Sequence, residues 1–212
     1  MRGDDSPRMA SFILHPLTTF IAGAVLAIIT IGGFLVFCAE PNRSEAMAAA
    51  YRNELGKAAK GNAAPGSSEE TEGLKRFTIF LENIGSADFI RANTSKTYTA
   101  DAYLNDTLTT HQGAADIEKY FLKTSESMTS CLVTIDDVAR SGFDHYIRWT
   151  MIITAPALSK GQPVHSTGIS QIRIDRDGKV TLHQDFWDSG EHFFGKLPVA
   201  GGVIGFIRKR LK

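Results

Sequence analysis

The sequence predicts an α+β domain in which helices pack on one face of an antiparallel sheet. Three observations carry this. Apolar residues recur at helical spacing through residues 71–128. From 131 to 187 the pattern changes to alternation of period two. Asp177-Gly178, between two alternating runs, is a strong hairpin signal. Helices therefore come first and a meander of strands last, unlike the regular strand–helix alternation of a parallel α/β sheet.

The chain has 212 residues, enough for one domain and its appendages. Lys+Arg number 23 and Asp+Glu 23, so no net field points to nucleic acid or to an acidic tail. Cys38 and Cys131 make no framework, and no CxxC or Cys/His cluster is present. No metal site and no cofactor is expected from these motifs.

Between Met9 and Ala39 there is no Lys, Arg, Asp or Glu. The apolar centre, residues 17–37, has the length of about 20 residues that a helix needs to cross a bilayer. Phe37 opposes cleavage beside Cys38 or after Ala39, so an uncleaved, single-pass anchor is expected, in the membrane at residues 12–38 and within a segment 1–39. Arg2 and Arg8 before it nearly balance Arg43 and Arg52 after it; the soluble domain is read as lying outside the cytoplasm.

Residues 40–71 read as a linker. Ser44-Glu45 opens an Ala-rich helix that ends by Gly61, and GNAAPGSSEE follows as a flexible tether. The soluble domain spans 72–196. Its first helix, 71–83, carries Leu74, Phe77, Phe80 and Leu81 on one face, with Thr71 as its cap. Asp88 starts a second helix, with Phe89 and Ile90 inward. Residues 103–110 form a short strand, Gly113 a turn, and 114–127 a third helix. Strands follow at 131–140, 143–156, 164–175 and 179–187. Residues 197–212 turn from apolar to basic, either a solvated tail or a helix lying on an anionic membrane.

The helix–helix–strand–Gly–helix order, the run G-x-S-x-I-x-x-D-x-D-G-K-V from Gly168, and D-F-W-D at 185–188 resemble the SnoaL-like branch of the nuclear transport factor 2-like superfamily. The resemblance covers about residues 72–196. It implies a cone-shaped, curved antiparallel sheet packed by the three helices, with a pocket inside the cone. Superfamily members include isomerases, dehydratases, epoxide hydrolases, cyclases and non-catalytic binding modules, so fold does not decide function.

Ketosteroid isomerases, a catalytic branch of that superfamily, allow a comparison by position. Asp106 matches their proton-shuttling base. Their oxyanion tyrosine falls at Phe77, which has no hydroxyl, and their protonated aspartate at Ser170, a weaker donor. Trp187 matches their late-strand tryptophan. With the set incomplete, their chemistry is not expected here, while acid–base work by Asp106 stays open, assisted by Asp185 or Tyr103. Tyr103, Trp149, Ser170 and Trp187 are expected to line the pocket.

On the last strand, His183, Asp185 and Trp187 share one face, and Val180, Leu182, Gln184 and Phe186 the other. The second face is the more apolar and by pattern alone would be core, whereas the resemblance turns Trp187 into the pocket. A second subunit covering the outer face would reconcile the two, so a homodimer through the sheet is expected. The function expected is a membrane-anchored module binding a small hydrophobic ligand; the alternative is a cofactor-free isomerase, cyclase or hydrolase.

Overall fold

The computed structural model describes Val25, Ile29, Thr30, residues 44–57 and residues 61–211. The anchor expected at 12–38 lies outside the described residues, save for Val25, Ile29 and Thr30, which are helical. Among the described residues no helix is long and apolar enough to cross a membrane. The chain divides into two compact units, Met1–Ala48 and Ala49–Lys212.

Helix α1 (Ser44–Lys57) precedes the domain proper. Helix α2 (Ser68–Glu82) starts where Ser67 is extended and its Oγ accepts the Glu70 N–H at 3.2 Å, earlier than the cap expected at Thr71. It buries Gly73, Phe77, Phe80 and Leu81. Helix α3 (Ala87–Thr97) is capped by Ser86 and buries Ile90, Thr94 and Thr97. Thr94 is tolerated there because its hydroxyl donates to the Ile90 carbonyl at 2.7 Å. Helix α4 (Ala114–Glu126) follows Gly113, whose φ of 85° and whose approach to the Ala100 carbonyl leave no room for a Cβ.

The sheet has strand order β2-β1-β6-β5-β4-β3. Its strands are β1 (Tyr98–Asn105), β2 (Thr110–Gln112), β3 (Ser130–Ser141), β4 (Asp144–Thr154), β5 (Val164–Ile174) and β6 (Val180–Trp187). The β3–β6 meander is antiparallel throughout, as the alternation predicts. The sheet as a whole is mixed, because β1 pairs with β6 in parallel. The fully antiparallel sheet expected from sequence is thus corrected: a crossover through α4 lies between β1 and the meander, and such a crossover lets two neighbours run the same way.

Phe77, Phe80, Ile90, Tyr98, Leu104, Ile117 and Ile172 lie between the helices and the sheet with at most 1% exposure. Each such side chain contributes roughly 1.5–3 kcal/mol by leaving water. Tyr98 is the first residue of β1.

The conflict over the two faces of β6 is resolved by α1. Trp187, Asp185 and His183 face the helices, and the outer face is partly covered by the helix expected to be a spacer. The Tyr51 ring meets Phe186 edge-on at 6.3 Å, and its hydroxyl donates to Gln171 Oε1 at 2.5 Å. Arg173, paired bidentately with Asp144 at 2.7 and 3.0 Å, also donates to the Leu55 carbonyl at 2.7 Å. This contact with the sheet is a role the weak apolar stripe of α1 did not suggest.

Candidate functional site

A cavity of about 330 Å³ opens between the sheet and the helices. Its walls are largely apolar, among them Leu104, Phe121, Met151, Leu158 and Trp187. Met128, after α4, and Phe193 and Leu197, after β6, complete one side. A smaller pocket of about 40 Å³ shares the Phe121, Trp149 and Met151 walls and is bounded by Ser170, His183 and Asp185. An apolar space of this size with a few convergent polar groups has the character of a small-molecule site.

The polar groups at its floor form one chain of hydrogen bonds. Trp149 Nε1 donates to Ser170 Oγ at 3.0 Å, and Ser170 Oγ donates to Asp185 Oδ1 at 2.5 Å. His183 Nε2 lies 2.8 Å from the same Oδ1, and its Nδ1 lies 3.0 Å from the Tyr98 hydroxyl. Burial, with the Asp185 charge, holds Tyr98 ionisation well above the ordinary tyrosine range, so this hydroxyl is a donor. His183 Nδ1 must then accept and Nε2 carry the proton toward Asp185, the one tautomer in which every donor meets an acceptor. Phe77 packs its ring edge-on against His183 at 4.9 Å and completes a dry surround. Asp185 lines the cavity with its Oδ1 held in this way, while no described residue donates to Oδ2.

This floor follows from local sequence. β6 alternates, so His183, Asp185 and Trp187 emerge on one face. The antiparallel register sets Ser170 opposite Asp185 and Gly168 opposite Trp187. Gly168 also pairs with Trp149, whose ring occupies the space a Cβ would take.

Asp106 also lines the cavity, in a different setting. Its Oδ1 accepts the backbone N–H groups of Leu108 and Thr109 at 2.9 and 2.8 Å, closing the turn between β1 and β2. Its Oδ2 accepts the Tyr120 hydroxyl. Its backbone carbonyl accepts Trp187 Nε1 at 2.7 Å, which fixes that indole in the wall. Burial and the Asp106 carboxylate push the Tyr120 ionisation up, so Tyr120 too is held as a donor. Both Asp106 oxygens are therefore engaged in holding the fold.

Trp149 and Trp187 thus line the cavity, Asp106 and Asp185 both reach it, and Ser170 bounds the smaller pocket beside it. Tyr103 does not, and its expected place in the wall is corrected. β1 alternates beside β6, so Leu104 lies next to His183 on the inner face and Tyr103 next to Leu182 on the outer. There Tyr103 is buried, and its hydroxyl ionises above the usual range through burial, near Thr110, Glu54 and Tyr51. His183 and Tyr98 were missed as a pair. The spacing His183-x-Asp185 on a strand carried half of the signal; the Tyr98 partner lies 85 positions away and left none.

Asp188 follows β6 and caps α5 (Ser189–His192), accepting the Glu191 N–H at 2.9 Å. Among the described residues no group of three or more His, Cys, Asp or Glu is placed to hold a metal ion.

A family model for the SnoaL-like domain matches residues 69–183. An LEH-like epoxide hydrolase of M. tuberculosis superposes with a TM-score of 0.50 at 17% identity, over 67% of this chain and 96% of its own. A hypothetical protein of ketosteroid isomerase-like fold from Catenulispora acidiphila, solved in complex with trimethylamine, superposes with a TM-score of 0.51 at 18% identity, over 59% of this chain and 95% of its own. At these identities the likeness is one of fold. No curated protein matches the chain.

Proposed function

The chain belongs to the SnoaL-like domain family, and from that premise we propose that its cavity binds a small hydrophobic ligand in an accessory or carrier role. The observation that carries this reading is the cavity of about 330 Å³, largely apolar along its walls, with the carboxylates of Asp106 and Asp185 among its few polar groups. A ligand with an apolar body and one hydroxyl fits both surfaces. Asp185 Oδ2 would accept from its hydroxyl, and the body would replace water against Met151, Leu158 and Phe193. The sequence supports tethering of this module to a membrane through residues 12–38. A homodimer would use the part of the outer sheet face beyond α1, around the exposed Ile169 and Arg148. Native mass spectrometry of the purified protein tests the ligand reading: a bound apolar molecule that leaves on denaturation is expected. A bare chain that takes up no added lipophile would refute it.

One observation favours a second reading, a cofactor-free isomerase, cyclase or hydrolase. Asp185 reaches the cavity with one oxygen held by His183 and Ser170 and the other without a described donor. A carboxylate so placed can take a proton from a bound ligand and return it. In that reading the base is Asp185 rather than Asp106, whose oxygens are both engaged.

A further inference from the structure

Helix α6 (Pro198–Arg210) is built inside out. In a helix lying on a globular domain the apolar stripe faces inward. Here Val199, Val203, Phe206 and Ile207, at spacings of four, three and one, form a single stripe that is 51–81% exposed. The opposite side is the one held. Arg208 bridges to Asp188 at 3.3 Å and to Glu191, and Gly201 packs against the Gly195 backbone so closely that a Cβ would overlap it. The polar contacts therefore fix the helix with its apolar stripe turned outward.

Charge indicates what meets that stripe. Residues 197–212 carry no Asp or Glu and, besides Arg208, which is paired on the held side, the cations Lys209, Arg210 and Lys212. Arg210 lies in line with the stripe, yet its guanidinium rests 4.7 Å over the Phe206 ring, leaving the stem in apolar contact and the charge at its edge. An apolar stripe bordered by cations matches an anionic bilayer surface, where side chains enter the acyl boundary and the cations meet headgroups. A protein partner fits less well. A stable interface needs roughly 800 Å² per partner, more than four side chains of one helix supply. A second copy would bring like charge to like charge.

We propose that α6 is a surface-lying membrane helix selective for anionic lipid. Leu197, its N-cap residue, lines the cavity together with Phe193. Docking of α6 would therefore bring the cavity rim to the lipid, the phase in which a lipophile is dissolved. That consequence rests on the ligand reading above; the docking of α6 does not.

Hydrogen–deuterium exchange of the full chain tests this, with no vesicles, with phosphatidylcholine vesicles, and with vesicles of phosphatidylcholine and phosphatidylserine. The expected result is slowed exchange across α6 only with phosphatidylserine, reversed by high salt. It should be absent in Val203→Asp/Phe206→Asp, while β4 and β5 exchange as before. Lys209→Gln should weaken the preference for phosphatidylserine roughly fivefold. The readout is protection of α6 itself, so it holds whether or not residues 17–37 also insert. Equal exchange in all three conditions, equal protection on both vesicles, or protection that rises with protein concentration without lipid would overturn the proposal. Absence of any bound lipophile would sink the ligand reading and leave the α6 result untouched.

Discussion

His183 Nε2 lies 2.8 Å from Asp185 Oδ1, two positions along the same face of β6, with the imidazole buried and the carboxylate half-buried where it lines the cavity. Ser170 donates to the same oxygen from the neighbouring strand. The carboxylate is thus oriented from two sides through one oxygen, on a residue that lines the space a ligand would fill.

If Asp185 moves protons, Asp185→Asn should leave ligand binding in place and reduce turnover by about 10²–10⁴-fold. Deuterium incorporation from D₂O into a bound ligand measures this directly. Ser170→Ala, which removes one of the two donors and orphans Trp149 Nε1, should have a smaller effect of the same sign. Unchanged incorporation in Asp185→Asn would leave the module a binder only.

Asp106 predicts the reverse pattern. Asp106→Ala strips acceptors from two backbone N–H groups and from Tyr120. A loss of about 1–2 kcal/mol is expected, or a drop in melting temperature of roughly 3–8 °C. Asp106→Asn keeps an acceptor for the turn and should lose less, with turnover nearly intact. Calorimetry of both variants beside their turnover separates the structural role from the catalytic one.

Gly168→Ala should deform the cavity wall. A Cβ at this position overlaps the Trp149 ring, which also donates to Ser170. The indole must shift or the strands must separate, at about 1–3 kcal/mol of stability. Weakened ligand binding is expected as well, and the Trp149 indole N–H resonance should move. An unmoved resonance would contradict the packing described.

His145 should make stability fall in mild acid. It is buried, and burial lowers its ionisation from the ordinary histidine value; Glu70 and Asp144 oppose this shift, Arg140 adds to it. Its Nε2 lies 3.2 Å from Glu70 Oε1. The folded state therefore binds the proton less readily than the unfolded chain. Stability is full above the unfolded value of about 6.5 and is lost as pH falls below it toward the folded one. Denaturant midpoints between about pH 7.5 and about pH 5.5 should decline in the parent and decline less in His145→Gln.

Much of this fold was legible in the residues. The period-two runs and Asp177-Gly178 placed β3 to β6, and Ser67, Ser86 and Gly113 set helix starts within a few positions of those expected. The parallel pairing of β1 with β6 was not legible, because a crossover and its direction leave no local pattern. Tyr103 and Leu104 show the same limit. Both are apolar enough to be core, and only the partner strand decides which of them faces inward. The apolar outer face of β6 looked like core in its own right, since nothing in the sequence of α1 announced that Tyr51 and Leu55 would reach the sheet. For the site, Asp185, Trp149 and Trp187 could be placed at the cavity and Ser170 at the smaller pocket beside it, whereas the Tyr98–His183 link could not.

The central claim is that the space between sheet and helices is a ligand site, and methionine-methyl NMR tests it most directly. The chain has five methionines. Met128 and Met151 line the cavity, while Met47 is exposed on α1 and serves as a control. The spectrum of ¹³C-methyl-methionine protein is followed during titration with a sterol, a cyclic terpene and a medium-chain fatty acid. Saturable shifts of the Met128 and Met151 signals with at least one compound, Met47 staying still, are the result predicted here. Signals of all the methionines that stay fixed, or that drift together without saturation, would contradict it.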